Sequence, residues 1–482
     1  MVCASPSRDR NAGYTQRKHA HFTLHPETTN IPVVGDREKV MSISAQLCVF
    51  AIMFLTAVSA QADKRREHSD TKITVQGSVF ERPLDVVEFR NATDTDIVRL
   101  KFTTGIGSSA FHFPGDNRRI LYMASDRGVN IKCDEDVVIT GKDICEKGKI
   151  FPVPNFTPTI YKLERRKHHR GWKVVEAVQI KDASGKPVSG LPNPLTLTDT
   201  ESAYDIAGNP LALNPNGLDT EAMVRLSDGS FWLSDEYAPS LVHVAPGGEV
   251  IERLVPAGIE SDLAGADYPV KGVLPGILAK RKLNRGIESV AVSPDESHLY
   301  FALQSPLANP DKSAYKTSRH VRLFKLDLKT MTLVGEYVYV IDLPETFLAD
   351  NTDKQSKVKV SEMLAYADDR LLILERVNNT TKLYRVTLHS ASNILDGRWD
   401  SEFTSPSLEQ IDDLGMIDIT PLSKDLALDS AIDLPSGALP AKVEGIARTG
   451  RRELVLVNDN DFGIEGADTK IIRLRVGRSF FK

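Results

Sequence analysis

The sequence lacks the short motifs that mark common catalytic sites. Its 482 residues contain no GxSxG, no HExxH and no glycine-rich phosphate loop. A nucleophilic serine, a zinc metalloprotease site and a nucleotide-binding loop of these types are therefore not indicated. Any chemistry would have to come from a metal-activated water or from pairs of acids.

The sequence also lacks a strong excess of charge of one sign. The formal net charge is −5, and acids and bases are interspersed along the chain. Nucleic-acid-binding proteins usually carry a strongly basic face. We therefore expect no nucleic-acid partner.

Cysteine is scarce, with four residues in the whole chain. Cys3 and Cys48 fall in a leader segment, which leaves Cys133 and Cys145. In an exported protein, a lone pair with such a short separation predicts a disulfide across a loop. The alternative, two metal ligands, lacks a second Cys or His pair nearby.

No hydrophobic run is long enough for a comfortable membrane span. The apolar run Leu47–Val58 is followed by small residues and then by charges, which is typical of a secretory signal peptide over 41–62 that is cleaved after Ala60 or Ala62. Residues 1–40 have no hydrophobic pattern, so we interpret them as a misassigned extension. We expect an exported protein, secreted or periplasmic, that is monomeric and has no stable membrane span in the mature chain.

What the sequence does contain is a repeated hairpin. In GLDTEAMVRLSDGSFWLSDEYAPSL (217–241), two β-rich runs flank an Asp-Gly turn. The start of the first strand and the end of the second lie at the same end of a hairpin. Asp219 and Glu221 should therefore lie near Asp235 and Glu236.

Similar hairpins recur along the chain, and five units are visible. The others are SSAFHFPGDNRRILYMASDRGVN, GIESVAVSPDESHLYFALQSPL, VSEMLAYADDRLLILERVNN and KVEGIARTGRRELVLVNDNDFG. Further β-like segments follow each hairpin, as in the blades of a propeller. The sequence predicts an all-β protein, with residues 70–482 forming one β-propeller domain. Residues 70–103 suggest six blades, closed by pairing of the N- and C-terminal strands.

In a propeller, the innermost strands of all blades begin around one mouth of the central channel. Glu221, Glu288, Glu362 and Glu444 occupy this position in four units. Crowded carboxylates repel one another unless a cation lies between them, and Ca²⁺ prefers oxygen ligands of this kind. The sequence therefore predicts a divalent cation, Ca²⁺ being the expected one. The alternative is that these carboxylates accept hydrogen bonds from backbone amides and connect neighbouring blades.

The hairpin sequences resemble those of the phytase-like family, described by an esterase-like activity of phytase, from about Ser108 to the C-terminus. The resemblance rests on the extended 217–258 stretch, on NRGIESVAVSPDESHLYFALQSPL and on KVEGIARTGRRELVLVNDNDFG. It implies a secreted or periplasmic propeller associated with Ca²⁺ that hydrolyses an ester or a phosphoester. The first unit lacks the leading acid, and Gln304 replaces an acid in the third, so the site departs from a full multi-metal arrangement.

We therefore expect an exported hydrolase whose substrate is a small-molecule ester or phosphoester. The alternatives are a non-catalytic propeller that binds a cation or ligand, and a Ca²⁺-dependent enzyme of the lactonase type. The expected catalytic residues are Glu221, Asp235, Arg285 and Glu288. The expected metal ligands are Glu221, Glu288, Glu362, Glu444 and Asp459, and the expected substrate-binding residues are Arg127, Glu236 and Arg376.

Overall fold

The computed structural model describes residues 73–90, 97–167 and 171–482. Strands dominate this part of the chain, and the α-helices are short: Asp136–Thr140, Lys312–Thr317 and Ser430–Asp433. The 3₁₀ turns are Ile259–Ser261, Gly276–Lys280, Pro344–Thr346, Gln355–Lys357, Arg398–Asp400, Leu408–Gln410, Leu414–Ile417 and Asp461–Gly463. None of the helices described here is long and apolar enough to cross a membrane. The predicted leader, 1–62, lies outside the described residues.

Five sheets follow one another along the chain, each built from its inner strand outward. Sheet one is Ser109–Phe111, Ile120–Ala124, Thr159–Arg165 and Trp172–Gln179. Sheet two is Thr220–Arg225, Phe231–Asp235, Ser240–Val244, Val250–Pro256 and Val270–Leu274. Sheet three is Ile287–Val292, His298–Leu303, His320–Asp327 and Thr332–Val340. Sheet four is Lys359–Ala367, Arg370–Arg376, Thr381–Thr387 and Ser423–Asp429. Sheet five is Val443–Gly450, Glu453–Asn458, Thr469–Arg475 and Thr74–Phe80.

Each predicted hairpin forms the first two strands of one sheet, so the repeat is confirmed. In sheet two, Thr220 pairs with Asp235 and Arg225 pairs with Phe231. The turn between these strands contains Gly229 with φ 93°, a backbone conformation that residues with a Cβ rarely adopt. The Asp-Gly pair therefore fixes the turn, and the turn brings the acids at the two open strand ends together.

The inner strands of neighbouring sheets lie against one another, and the inner strand of sheet five contacts that of sheet one. Apolar side chains fill the space between adjacent sheets. The largest cluster joins sheets two, three and four and includes Trp232, Phe301, Phe324 and Tyr384, all of them buried. Burial of side chains of this size stabilises a fold by about 1.5–3 kcal/mol each.

The N- and C-terminal strands pair as the sequence predicted. Thr74 lies opposite Arg475, and Phe80 opposite Thr469, in an antiparallel ladder. The expectation of six such sheets is not met in the described part of the chain. The strands Pro83–Arg90 and Ile97–Thr103 pair with each other as a separate hairpin, so they add no sixth sheet to the series.

Another small sheet is made of four two-residue strands. They are Ile131–Lys132, Lys149–Ile150, Ala203–Tyr204 and Pro210–Leu211. The predicted disulfide between Cys133 and Cys145 is present beside this sheet, with the two Cα atoms 5.2 Å apart. The disulfide closes an excursion that leaves sheet one after its second strand.

Candidate functional site

A cavity of about 1000 Å³ lies where the inner strands begin. We call it the charged cavity, because carboxylates, lysines and arginines make up most of its lining. The predicted site residues that line it are Arg127, Glu221, Glu236, Arg285, Glu288, Arg376, Glu444 and Asp459. Asp235 and Glu362 do not line it. Most of the predicted site residues therefore lie together at this cavity.

Irregularities in the strand ladders position the glutamates at the cavity. In sheet three the pairing skips Glu288, between Ile287 and Ser289, and in sheet five it skips Glu444. In sheet two it skips Glu221 together with its neighbour. A bulge of this kind redirects a side chain away from the regular alternation. Three of the four predicted glutamates are therefore directed into the cavity by the same local device.

Glu362 is an exception, because the bulge in sheet four falls one residue earlier, at Ser361. A shift of one residue turns a side chain to the other face of a strand. Glu362 is buried and accepts hydrogen bonds from Ser109 Oγ at 3.1 Å and from the backbone of Val290. It thereby connects the inner strands of sheets one, three and four, which matches the interblade alternative and not the predicted cavity-lining ligand.

Asp235 is likewise away from the charged cavity. Its carboxylate forms a buried salt bridge with Arg253 at 3.0 Å and accepts backbone hydrogen bonds from Asp219, Tyr237 and Ala238. These bonds fix the end of the hairpin in place. The structure therefore does not bring Asp235 to the cavity, as its predicted catalytic role requires. Its contacts indicate that it positions Asp219.

One wall of the cavity is acidic. Asp219, Glu221 and Glu236 each offer a carboxylate oxygen within 4.8 Å of the others. Burial raises the pKa of Glu221 well above its ordinary value, and the negative charges of Glu288, Glu236 and Asp219 raise it further. Burial, and then the charge of Asp459, raises the pKa of Asp126 in the same way. Such a wall favours a bound cation, because a cation would offset both the burial and the repulsion.

Arg127 forms hydrogen bonds that hold an acid of the acidic wall in place. Its Nη1 donates to Asp219 at 3.0 Å and its Nη2 to Glu201 at 2.5 Å. The guanidinium carbon lies 5.1 Å from the ring centre of Phe151 and 4.9 Å from that of Tyr237. With these contacts, Arg127 positions Asp219 in addition to lining the cavity.

The wall contributed by the start of sheet four and the loop before sheet three is basic. Lys282, Arg285, Lys359 and Arg376 line it. Arg285 donates to Gln304 and, at 3.3 Å, to the hydroxyl of Tyr315. Burial lowers the pKa of Lys359 well below its ordinary value, and the charges of Arg285 and Arg376 lower it further. An anionic group would be stabilised at this wall.

Two ion pairs occupy the part of the cavity contributed by sheet five. Arg376 binds Glu444, and its Nε donates to Ser361 at 2.9 Å. Lys442 binds Asp461. Burial and the charge of Asp461 raise the pKa of Asp459 to about 7. Arg376 therefore already neutralises the charge of Glu444. This contact leaves Glu444 less suited to the predicted role of metal ligand than an unpaired carboxylate would be.

Some lining residues were absent from the predicted site. Lys359 opens the inner strand of sheet four and pairs with Arg376 across the ladder. Its position at a strand start, equivalent to the leading acids, is the signal that could have identified it. Asp219 was noted in the hairpin but not assigned a role, although it belongs to the closest group of carboxylates.

The donor set of the acidic wall fits a hard divalent cation, since such ions take carboxylate oxygens. Beside it, Glu288 is 3% exposed, and its Oε2 is buried without a hydrogen-bond partner among the described residues. A buried polar atom left unpaired costs stability. The arrangement can accommodate a cation at the acidic wall and an anionic group at the basic side chains of the same cavity.

The model of the phytase-like family, described as "Esterase-like activity of phytase", matches residues 106–462. The chain belongs to this family. The matched range includes all five inner strands and every acid that lines the charged cavity except Glu465.

A curated relative is an uncharacterized secreted protein of Arthroderma benhamiae. It is 24% identical over 244 residues, which cover 45% of this chain and 47% of the relative. The match therefore spans about half the length of that protein.

Several solved structures show weak similarity. The Cps50 (Swd1) β-propeller domain of Myceliophteria thermophila has 9% identity and a TM-score of 0.29, covering 83% of this chain and 100% of that one. The calcium-binding protein regucalcin of Agrobacterium tumefaciens has 12% identity and a TM-score of 0.30, covering 78% and 96%. The PQQ-bound aldose sugar dehydrogenase of Streptomyces coelicolor has 9% identity and a TM-score of 0.30, covering 83% and 98%. These similarities identify neither an activity nor a number of blades.

Proposed function

We propose that the chain is an exported β-propeller hydrolase that acts on an ester or a phosphoester. In this proposal the five sheets are five blades, and the charged cavity is the mouth of their central channel. The observation that carries the proposal is the group of Asp219, Glu221 and Glu236, whose oxygens lie within 4.8 Å of one another in the same cavity as the basic wall. Membership of the phytase-like family supports it, and the secreted relative supports export.

Asp219, Glu221 and Glu236 would hold the cation, with Arg127 fixing the position of Asp219. When bound, a divalent cation supplies polarisation of the substrate oxygen and a water of lowered pKa. Arg285 and Lys359 would bind the anionic part of a phosphoester, since both line the basic wall of the same cavity. An arginine can contact two oxygens of such a group at once.

Glu288 lies between the two walls and is suited to hold a proton. Burial, and then the charge of Glu236, raises its pKa to about 8. The carboxyl therefore holds its proton to a higher pH than an ordinary glutamate does, and when protonated it can donate to a developing alkoxide on the leaving group. In this proposal Glu288 is a general acid and not a cation ligand.

The experiment is an assay of the mature chain, freed of metal with EDTA, on 4-nitrophenyl phosphate and 4-nitrophenyl butyrate. Added Ca²⁺ should restore hydrolysis of at least one substrate and raise the melting temperature. Glu221→Gln should lose both effects. Glu176→Gln, which removes the same charge from an exposed strand position of sheet one, is the matched control. Hydrolysis that is unaffected by EDTA, Ca²⁺ and Glu221→Gln would contradict the proposal.

A non-catalytic cation-binding propeller is the second candidate. It is favoured by the contacts that already engage basic side chains expected to bind the substrate, namely Arg285 with Gln304 and Arg376 with Glu444. Because fold alone does not determine activity, the same assay separates the two candidates. A melting temperature that rises with Ca²⁺, in a chain that hydrolyses neither substrate, supports the binding protein.

A further inference from the structure

A second cavity, of about 530 Å³, lies at the opposite end of the inner strands. In sheet two, Glu221 is the second residue of the inner strand and Arg225 is the last. Four residues of extended chain separate the two by about 13 Å. All five inner strands contribute to the second cavity. We call it the arginine-rimmed cavity, and neither the family nor the proposed hydrolysis accounts for it.

The floor of this cavity is apolar. It includes Met223, Val290, Ala291, Met363 and Ile446, all of them buried. Phe111, Val292 and Leu364 continue the apolar surface up the walls and are only partly buried. Apolar side chains that face a cavity and remain partly exposed are typical of a site for an apolar ligand. The charged cavity has no comparable floor, since carboxylates and cationic groups dominate its lining.

The rim carries four arginines, namely Arg118, Arg225, Arg448 and Arg451. No salt bridge joins any of them to a carboxylate among the residues that the structure describes. The guanidinium of Arg225 instead lies 4.6 Å from the ring centre of Phe113, and that of Arg448 lies 4.1 Å from the ring centre of Phe481.

The acids of the same lining already have partners. Asp116 accepts a hydrogen bond from the hydroxyl of Tyr122 at 3.0 Å. Glu296 accepts from the backbone and the hydroxyl of Ser227, at 3.1 and 2.6 Å. Because four arginines face two acids, the rim retains a positive charge. The field at the mouth of a low-dielectric cavity concentrates ligands of the opposite charge.

We infer that the arginine-rimmed cavity binds a small amphipathic anion, with the apolar body of the ligand on the inner-strand floor and its carboxylate or sulfonate at the arginines. Its volume lies within the range of about 300–1,000 Å³ usual for small-molecule sites. The inference is independent of the proposed hydrolase, because it concerns other residues at the other end of the inner strands. Planar guanidinium groups suit a carboxylate, which can accept two hydrogen bonds from one arginine.

The test is isothermal titration of the mature chain with naphthalene-2-carboxylate, in EDTA. Binding to one site is expected. Naphthalene-2-methanol, which has the same apolar body without the charge, should bind about tenfold more weakly, and 2-naphthylmethylamine more weakly still, because neither can form charge-assisted hydrogen bonds with the arginines. Equal affinity for the acid and the alcohol, or no detectable binding of the acid, would overturn the inference.

Variants locate the site. The double variant Arg118→Gln/Arg451→Gln changes two exposed rim residues and should weaken binding of the acid about fivefold, as expected for exposed ionic contacts. Arg452→Gln is the matched control, since Arg452 is the chain neighbour of Arg451 but donates to the backbone of Val476 and does not line the cavity.

A second variant tests the floor. Ala365→Phe fills space in the cavity from the inner strand of sheet four and should abolish binding of both the acid and the alcohol, with circular dichroism confirming the fold. Arg285→Gln alters only the charged cavity and should leave binding unchanged. Weakening by Arg285→Gln, without weakening by the rim variant, would place the ligand in the charged cavity and refute the inference. Loss of Ca²⁺-dependent hydrolysis would leave it standing.

Discussion

Glu221 and Glu362 occupy matching places in the sequence repeat and different places in the molecule. Glu221 faces three other carboxylates whose charges, together with that of Asp126, raise its pKa. Glu362 accepts hydrogen bonds from Ser109 and from the backbone amides of Met363 and Val290. Removing the charge of Glu221 should relieve repulsion between carboxylates. Truncating Glu362 should instead leave buried hydrogen-bond donors without acceptors.

Glu221→Gln should therefore raise the free energy of unfolding in EDTA, because the variant removes a crowded buried charge. Glu362→Ala should lower it by about 1–3 kcal/mol for each buried donor left unpaired. Urea denaturation of both variants, followed by tryptophan fluorescence, measures the two changes. If Glu362→Ala were as stable as the parent, its role in joining the sheets would be wrong.

At the scale of elements, the excursion closed by Cys133 and Cys145 provides part of the charged cavity. Asn130, Lys132 and Lys149 come from this segment and line the cavity. Its strands have two residues each, too few to hold a conformation by pairing alone. The disulfide therefore stabilises much of the conformation of this part of the cavity lining.

The variant Cys133→Ser/Cys145→Ser should lose about 2–3 kcal/mol of stability, as expected for a cross-link that closes a loop of this length. Limited trypsin digestion should cut between Lys132 and Lys149 faster in the variant than in the parent. Reducing agent should reproduce both effects in the parent and have no effect on the variant. Equal digestion rates would contradict a stabilising role for the disulfide.

Elements with a clear sequence period could be predicted, and those without one could not. The hairpins alternate strand and turn signals over ten residues or more, and this pattern placed the inner strands of all five sheets. Two-residue strands such as Ile131–Lys132 have no period to detect. The strand Pro83–Arg90 has a normal strand composition, but whether its hairpin with Ile97–Thr103 joins the series of sheets depends on tertiary contacts, so the sequence could not exclude a sixth sheet.

The residues of the site could likewise be predicted only in part. Three glutamates reach the cavity because a bulge lies at each of them, whereas the bulge at Ser361 displaces Glu362. The repeat in the sequence aligns acids but does not locate bulges. Lys359 escaped prediction because a charged residue at a strand start is usually exposed, and only the folded arrangement buries it beside Arg285 and Arg376.

For the molecule as a whole, the carboxyl groups at the charged cavity link stability to pH. Burial and neighbouring charges raise the pKa of Glu288 from 4.5 to about 8 and that of Asp459 from 3.8 to about 7. They also raise the pKa values of Glu221 and Asp126. In the unfolded chain these groups return to their ordinary pKa values.

The direction in which stability changes with pH depends on which state, folded or unfolded, binds more protons. Well below pH 4, the folded and unfolded states both carry these protons. Between about pH 4 and 8, the folded state holds protons that the unfolded state releases, so the metal-free protein loses stability as the pH rises. The part of this loss that comes from Glu288 should level off above its raised pKa, about 8. In EDTA, the melting temperature should therefore fall steadily from pH 5 to pH 8.

Saturating Ca²⁺ should reduce this fall, because a cation held by Asp219, Glu221 and Glu236 binds the ionised carboxylates and competes with their protons. The benefit of Ca²⁺ should accordingly be larger at pH 8 than at pH 5. Thermal melts across this range, with and without Ca²⁺, measure both slopes, and Glu221→Gln should flatten the slope in EDTA. If the melting temperature in EDTA rose with pH instead, the raised pKa values of this cavity would not dominate the proton balance. The acidic wall would then be stabilised by Arg127 and its other cationic neighbours without need of a metal.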